Sequence, residues 1–391
     1  MKDKQIEKLI KAEGKRQKGV INLIASENYV SKDVLAALGS VLTNKYAEGY
    51  SALRYYGGNE ISDQIENLCQ DRALKLFKLK KTEWAVNVQA LSGSPANLAV
   101  YLGLVEKGGK IMGMALSSGG HLTHGHKVSV TGKFWQQIPY GVNKETEQLD
   151  YEEIKKIAQK EKPDIIVAGF TAYPRKIDWA KFREIADSCR ASLMVDMSHI
   201  AGLIAGGVHP SPFSFADIVT TTTHKTLRGP RAGLIFSRID SRELNKKIDK
   251  AVFPGIQGGP HLNQIASVAV ALAEAARPEF KIYAKQIINN AKALAGELKK
   301  KGWRIVSGGT DNHLLLVDVA GSTDGKITGK VASEKLEKEG IIVNKNTIPF
   351  DSRSPVDPSG LRLGTAAETT RGKKEKDMIK IADKIDKILR K

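Results

Sequence analysis

The stretch Thr220-Thr221-Thr222-Thr223-His224-Lys225-Thr226-Leu227-Arg228-Gly229-Pro230-Arg231 places an amine where chemistry is possible. Four β-branched threonines favour an extended strand, and Gly229-Pro230 turns the chain away. Lys225 is therefore expected at the rim of a sheet, and rims of α/β sheets are where ligands bind. Three further groups suit the same rim. Asp196 and His199 close the hydrophobic run Ser192-Leu193-Met194-Val195-Asp196-Met197-Ser198-His199, one strand-to-strand crossover before Lys225. Ser92-Gly93-Ser94 joins the strand-like Trp84–Val88 to a helical pattern, so that free N–H groups and the helix dipole would face an anion. His121 stands in Gly119-Gly120-His121-Leu122-Thr123-His124-Gly125-His126, whose glycines suit a loop over a flat ligand.

An amine, an acid, an anion cradle and an imidazole are what pyridoxal phosphate asks of a protein. Lys225 would form the Schiff base, Asp196 would keep the pyridine nitrogen protonated, Ser92-Gly93-Ser94 would hold the phosphate, and His121 would lie against the ring. Each residue also has a plainer reading. A lone aspartate at a strand end is commonly a cap, and a Ser-Gly-Ser turn by itself is a weak signal. Three close histidines invite a metal, but no carboxylate or cysteine nearby completes a ligand set, and no metal site is expected. Arg362, in Leu361-Arg362-Leu363, offers a guanidinium fork to a substrate carboxylate, or an ordinary ion pair. Glu48 lies in the tyrosine- and glycine-rich stretch 44–58 and is the candidate for acid–base work on a substrate hydroxyl.

The elements that must position these residues alternate along the chain. Strand patterns at Trp84–Val88, Lys110–Leu116, Asp164–Phe170, Ser192–His199 and Ala232–Phe236 are separated by amphipathic helices, among them Asp150–Lys160 and Trp179–Ala191. Such alternation predicts an α/β domain with a mostly parallel sheet. Ser31 is expected to start a helix running to about Leu42, and Ser62 to cap the next one. After Arg277-Pro278 the composition changes. The expected division is an N-terminal arm with helices over 1–42, a large domain over 43–277, and a smaller α+β domain over 278–391. No internal repeat, low-complexity tract or run long enough to span a membrane is present.

The chain has 391 residues, 61 basic and 43 acidic, for a net charge of +18. The lysines are spread along helix faces without interleaved aromatics, so a solvated basic surface is favoured over nucleic-acid binding. The charged N-terminus lacks the apolar stretch of a secretory signal, and the two cysteines, Cys69 and Cys189, form no framework. A cytoplasmic location is expected.

Several motifs carry a family resemblance: Ile24-Ala25-Ser26-Glu27-Asn28, Asn44 to Tyr50, Arg54-Tyr55-Tyr56-Gly57-Gly58, Gly119 to Gly125, Val195-Asp196-Met197, Thr220 to Lys225, Phe253-Pro254-Gly255, Gln257-Gly258-Gly259-Pro260 and Gly308 to His313. In order and over nearly the whole chain, they resemble serine hydroxymethyltransferase, a fold-type-I (aspartate aminotransferase-like) pyridoxal-phosphate family. The resemblance implies reversible transfer of the hydroxymethyl group of serine to tetrahydrofolate or a related pterin, giving glycine and 5,10-methylenetetrahydrofolate. It implies Lys225, Asp196, His121, His199 and Glu48 as catalytic residues. Ser92, Gly93, Ser94, Thr171, Thr222, His224, Gly258 and Gly259 would bind the cofactor with them, the two glycines coming from a partner subunit. Ser26 and Arg362 would hold the substrate carboxylate. Tyr46, Glu48 and Tyr56 would come from the partner, and Leu116, Gly120 and Asn346 match folate-contacting positions. A homodimer or tetramer with shared sites is implied. Ser118, Thr171, Phe350 and Ala366 depart from the common pattern. The changes at Ser118 and Phe350 fall on the pterin side, which leaves a carrier such as tetrahydromethanopterin open.

Overall fold

Seven strands build the sheet that carries Lys225: β1 (Trp84–Asn87), β2 (Lys110–Met114), β3 (Gln136–Tyr140), β4 (Ile165–Gly169), β5 (Ser192–Asp196), β6 (Ile218–Thr222) and β7 (Gly233–Arg238). They lie in the order β1-β7-β6-β5-β4-β2-β3 in the computed structural model, which describes residues 1–391. The pairs from β6 to β3 are parallel, whereas β7 runs antiparallel to both β6 and β1. Because β7 reverses between them, β1 points the same way as the parallel strands. The loops that follow β1, β2, β4, β5 and β6 therefore leave one edge of the sheet. The middle strands read as continuous apolar runs, and all five residues of β4 are buried, as a parallel sheet requires.

Helices follow from capping and spacing. Asp178 accepts from the N–H groups of Ala180 and Lys181, which starts the helix Trp179–Cys189; it buries Trp179, Phe182, Ile185 and Ala186 on one face. Each such side chain contributes about 1.5–3 kcal/mol by leaving water. Arg190, in the left-handed region, ends the helix.

The chain divides into two units, residues 28–285 and residues 1–27 with 286–391. The second has its own four-stranded antiparallel sheet, Arg304–Ile305, Leu314–Asp318, Gly360–Gly364 and Asn344–Asn346 in that order. Its core gathers Leu23, Leu294, Trp303, Leu315, Leu336, Leu363, Met378 and Ile385. The indole of Trp303 donates to Asp386 at 2.9 Å, which satisfies its one buried polar atom.

The expected arm over 1–42 is not a separate body. Ile21–Asn22 pairs in parallel with Ile341–Ile342, and Leu23 is fully buried in the smaller core, so residues 1–27 join the C-terminal unit. On the other side the division falls between residues 285 and 286, inside the long helix Pro278–Lys300, and not at Arg277-Pro278. Proline marks the first turn of that helix, where its missing N–H costs nothing. Three local readings also change. The helix from Ser31 stops at Leu38 before Gly39, and a short 3₁₀ turn follows. The next helix begins at Glu60 after Asn59, so Ser62 sits within its first turn. Strand β2 ends at Met114, and Leu116–Ser118 forms a 3₁₀ turn. Strand β3 had no expectation; it is short, contains Pro139 and occupies the sheet edge, the place where a strand tolerates proline.

Candidate active site

Register brings the acid and the amine to one edge. Asp196, last in β5, pairs with Thr220 of β6 on one side and Gly169 of β4 on the other. Lys225 follows three residues after the end of β6. Asp196 is buried and fully engaged: Asn97 Nδ2 donates to Oδ2 at 2.9 Å, His124 Nε2 lies 3.2 Å from the same oxygen, and the Ser198 N–H donates to Oδ1 at 3.1 Å. Burial alone would raise this carboxyl, but the bond and charge of His124, the nearby charge of Lys225 and Ser198 hold it well below the usual carboxylate range. A buried acid kept ionised in this way can hold a proton on a ring nitrogen facing it.

The bonds extend to the stacking candidate. Asn97 also donates to Thr123 Oγ1 at 2.9 Å and accepts from the Thr220 hydroxyl at 2.7 Å. Thr123 Oγ1 is 2.7 Å from His121 Nδ1, which also accepts from the Thr123 N–H at 3.2 Å. His121 Nδ1 is thus an acceptor, leaving its proton on Nε2. The rings of His121 and His124 are 5.7 Å apart and face different partners.

Where the helix Gly93–Leu104 begins, the structure has the features of an anion cradle. Ser92 is its N-cap in extended conformation, and its hydroxyl makes no capping bond. A Cβ on Gly93 would lie 2.6 Å from Thr222 Cγ2, so only glycine fits beside β6. Thr222 Oγ1 and His224 Nδ1 are buried atoms without a hydrogen-bond partner. Burial, with the charges of Lys225 and Arg231, lowers His224 to about 3, so its imidazole is neutral at physiological pH. Unsatisfied buried polar atoms, with Thr222 packed against the first residue of the helix, fit a phosphate. The residues present therefore suit pyridoxal phosphate: cradle, acid, amine and imidazole share one sheet edge.

His199 is buried, and its carbonyl accepts from the Thr226 hydroxyl at 2.9 Å. The Thr171 hydroxyl is directed to the carbonyls of Gly119 and Gly120, at 3.1 and 2.9 Å, and so holds the loop before His121. Gly120 packs against the Met114 carbonyl so closely that no side chain could replace its hydrogen. Leu116 lies in the turn just before it.

A second group gathers around Glu48. Its N–H donates to the Tyr56 hydroxyl at 2.9 Å, and its carbonyl accepts from the Tyr55 N–H at 3.3 Å. Tyr46 and Tyr56 rings are 6.5 Å apart. Gly258 and Gly259 lie against Glu48 and Tyr46, where a Cβ would come within 3.1–3.4 Å of those side chains. An open cavity of about 620 Å³ is lined by Glu48, Tyr55, Phe253 and the segment to Gly258.

In the smaller unit, Arg362 lies in the strand Gly360–Gly364, and its Nε donates to Asn344 Oδ1 at 3.0 Å. Burial draws its pKa down to about 10, which leaves it cationic at neutral pH. Gly364 N–H donates to Leu23 O at 2.8 Å and its Cα faces Ala25, so the segment carrying Ser26 runs beside the end of that strand. Asn346 pairs with Gly360 at its start.

The family model for serine hydroxymethyltransferase matches residues 1–385. The chain belongs to the serine hydroxymethyltransferase family. It is 55% identical over 387 residues to the serine hydroxymethyltransferase of Rickettsia canadensis (strain McKiel), covering 99% of this chain and 90% of that one. It is 54% identical to that of Desulfotalea psychrophila (strain LSv54 / DSM 12343), covering 99% and 88%, and 55% identical to a probable serine hydroxymethyltransferase of Rickettsia bellii (strain RML369-C). The fold is accordingly that of a fold-type-I pyridoxal-phosphate enzyme. The activity is transfer of the serine hydroxymethyl group to tetrahydrofolate, a reaction of one-carbon metabolism.

For a serine hydroxymethyltransferase site, reading the residues in isolation missed several supports. His124 and Asn97 both bond Asp196, yet the sequence assigned neither of them a part in the site. Asn97 did carry a signal, as the only amide in the apolar helix Gly93–Leu104. Arg54 was also missed. Its guanidinium donates to the carbonyls on both sides of Glu48, Ala47 at 3.0 Å and Gly49 at 2.5 Å, and pairs with Asp63 and Glu66.

Proposed function

We propose that Lys225 holds pyridoxal phosphate at this sheet edge, and that the remaining site residues divide the work of hydroxymethyl transfer around it. Bound there, the cofactor supplies an electron sink for bond breaking at the serine α-carbon. The observation that carries the reading is an ionised, buried Asp196 at the end of β5 together with the unpartnered, buried Thr222 Oγ1 and His224 Nδ1 just before Lys225.

Asp196 would keep a proton on the pyridine nitrogen. His121 would lie against the ring face, and Ser92, Gly93, Ser94, Thr222 and His224 would receive the phosphate. His199 and Thr171 serve near the ring oxygen, Thr171 chiefly by fixing the loop of Gly119 and Gly120. Ser26 and Arg362 bind the serine carboxylate, the guanidinium through paired charge-assisted bonds. Glu48 handles a proton at the serine hydroxyl or at the pterin, and Tyr46 and Tyr56 flank it. Leu116, Gly120 and Asn346 contact the pterin.

The Glu48 group satisfies its own backbone and stands among exposed Leu53, Tyr55 and Tyr46, which supports a homodimer in which Tyr46, Glu48, Tyr56, Gly258 and Gly259 complete the partner's site. The two free cysteines support a cytoplasmic location. Measuring glycine formation from serine tests the whole reading. Tetrahydrofolate is expected to stimulate it strongly, and Lys225→Ala to abolish both turnover and the visible band of bound cofactor. Turnover that ignores the pterin would favour a simple aldolase, and an unchanged spectrum in Lys225→Ala would overturn the assignment of that lysine.

A further inference from the structure

Lys225 lies beyond the end of β6, in a turn where no strand ladder fixes its main chain. We propose that Asn28 and Tyr283 form a paired brace on that turn and act as positioning residues for cofactor capture; the proposal rests on reading Lys225 as the cofactor-holding amine.

Asn28 Nδ2 donates to the Lys225 carbonyl at 2.8 Å and to the Tyr283 hydroxyl at 2.7 Å. Its Oδ1 accepts from the Tyr29 N–H at 2.9 Å, which fixes the orientation of the amide. The Tyr283 hydroxyl in turn points to the Thr226 carbonyl at 3.5 Å. The ring of Tyr283 also carries the guanidinium of Arg228 at 4.6 Å from its centroid. Arg228 holds a left-handed backbone, φ 63°, and its N–H closes the turn on Lys225 O at 3.0 Å. One side-chain pair therefore engages Lys225, Thr226 and Arg228. On the other side, the Thr226 hydroxyl donates to His199 O and accepts from the Gly202 N–H at 3.0 Å. Thr226 ties the turn to the strand-end loop, and the pair closes the opposite side. Displacement of a reactive group by about 1 Å is enough to cost two orders of magnitude in rate, which gives the brace a function beyond stability.

The test uses the full-length protein stripped of cofactor, with Tyr283→Phe, Asn28→Ala and the double variant. Tyr283→Phe keeps the ring under Arg228 and removes only the hydroxyl. Two quantities are read: the dissociation constant for added pyridoxal phosphate, and the pH profile of Lys225 carbamylation by cyanate, located by peptide mass spectrometry. Each single variant is expected to weaken cofactor binding about three- to tenfold, the range of one hydrogen bond, and to shift the labelling profile. The double variant should lose less than the product of the two, because both bonds share one amide. Parental binding and labelling in folded single variants, or strictly multiplicative losses, would overturn the brace. Lys225→Ala, run in parallel, separates the two readings: if it still gives the parental visible band, the lysine assignment fails, whatever the brace variants do.

Discussion

Replacing His124 with alanine isolates one of the bonds that keep Asp196 ionised. The pair is 3.2 Å apart, with side chains 1% and 10% exposed, and the acceptor is charged. A hydrogen bond of that kind contributes about 1.5–3 kcal/mol. At 1.36 kcal/mol per pKa unit, its loss lifts the Asp196 carboxyl by about one to two units. The carboxyl starts well below the ordinary range, and Asn97, Ser198 and the Lys225 charge remain. The acid therefore stays ionised at neutral pH, and the variant should be less stable yet still bind cofactor. For a unit of this size each kcal/mol shifts Tm by about 2–4 °C, so calorimetry on the cofactor-free protein should show a fall of roughly 3–12 °C. The folded pKa of Asp196 lies below its unfolded value of about 3.9. Its stabilisation is thus complete above that value and is lost as pH falls through the folded pKa. The Tm difference from the parent should accordingly hold steady, as far as Asp196 governs it, from pH 8 to pH 5. An unchanged Tm would refute the energetic reasoning. Loss of the cofactor band at pH 7 to the extent seen in Asp196→Asn would refute the claim that the acid stays charged.

Two further outcomes are expected. Arg362→Ala should raise the KM for serine about 10- to 100-fold, the cost of a charge-assisted contact, while the visible band of bound cofactor is retained; a normal KM would remove the residue from the substrate clamp. His224 has a folded pKa of about 3, below its unfolded value near 6.5. The unfolded chain therefore takes up the proton first, and stability should fall between about pH 6.5 and pH 3 by up to ~1.4 kcal/mol per pH unit. Urea titrations should show that slope reduced in His224→Gln, and an identical slope would mean that His224 is not held neutral.

Much of the architecture follows from local sequence. Alternating apolar strands and amphipathic helices dictate a parallel sheet, because each pattern has one way to bury its apolar side. The glycine of Ser92-Gly93-Ser94 and the turn after Thr223 are backbone requirements that residue type alone expresses. Lys225 and Asp196 were legible because strand ends carry their own punctuation, and family motifs drew in residues far apart along the chain.

Tertiary structure decided the partners. His124 and Asp196 are 72 residues apart, and nothing local states which way an imidazole in a histidine-rich loop will turn. Arg54 reads as one more arginine in a basic chain, yet folding puts it inside a pocket of two carboxylates and two carbonyls around Glu48. Thr171 reads as a cofactor neighbour, while its proton goes to Gly119 and Gly120. The first 27 residues read as an arm, and a two-residue parallel pairing with Ile341–Ile342 joins them to the C-terminal unit. Periodicity encodes which face of an element is buried. Hydrogen-bond partners and strand neighbours depend on long-range approach, whose energetics no short window of sequence contains.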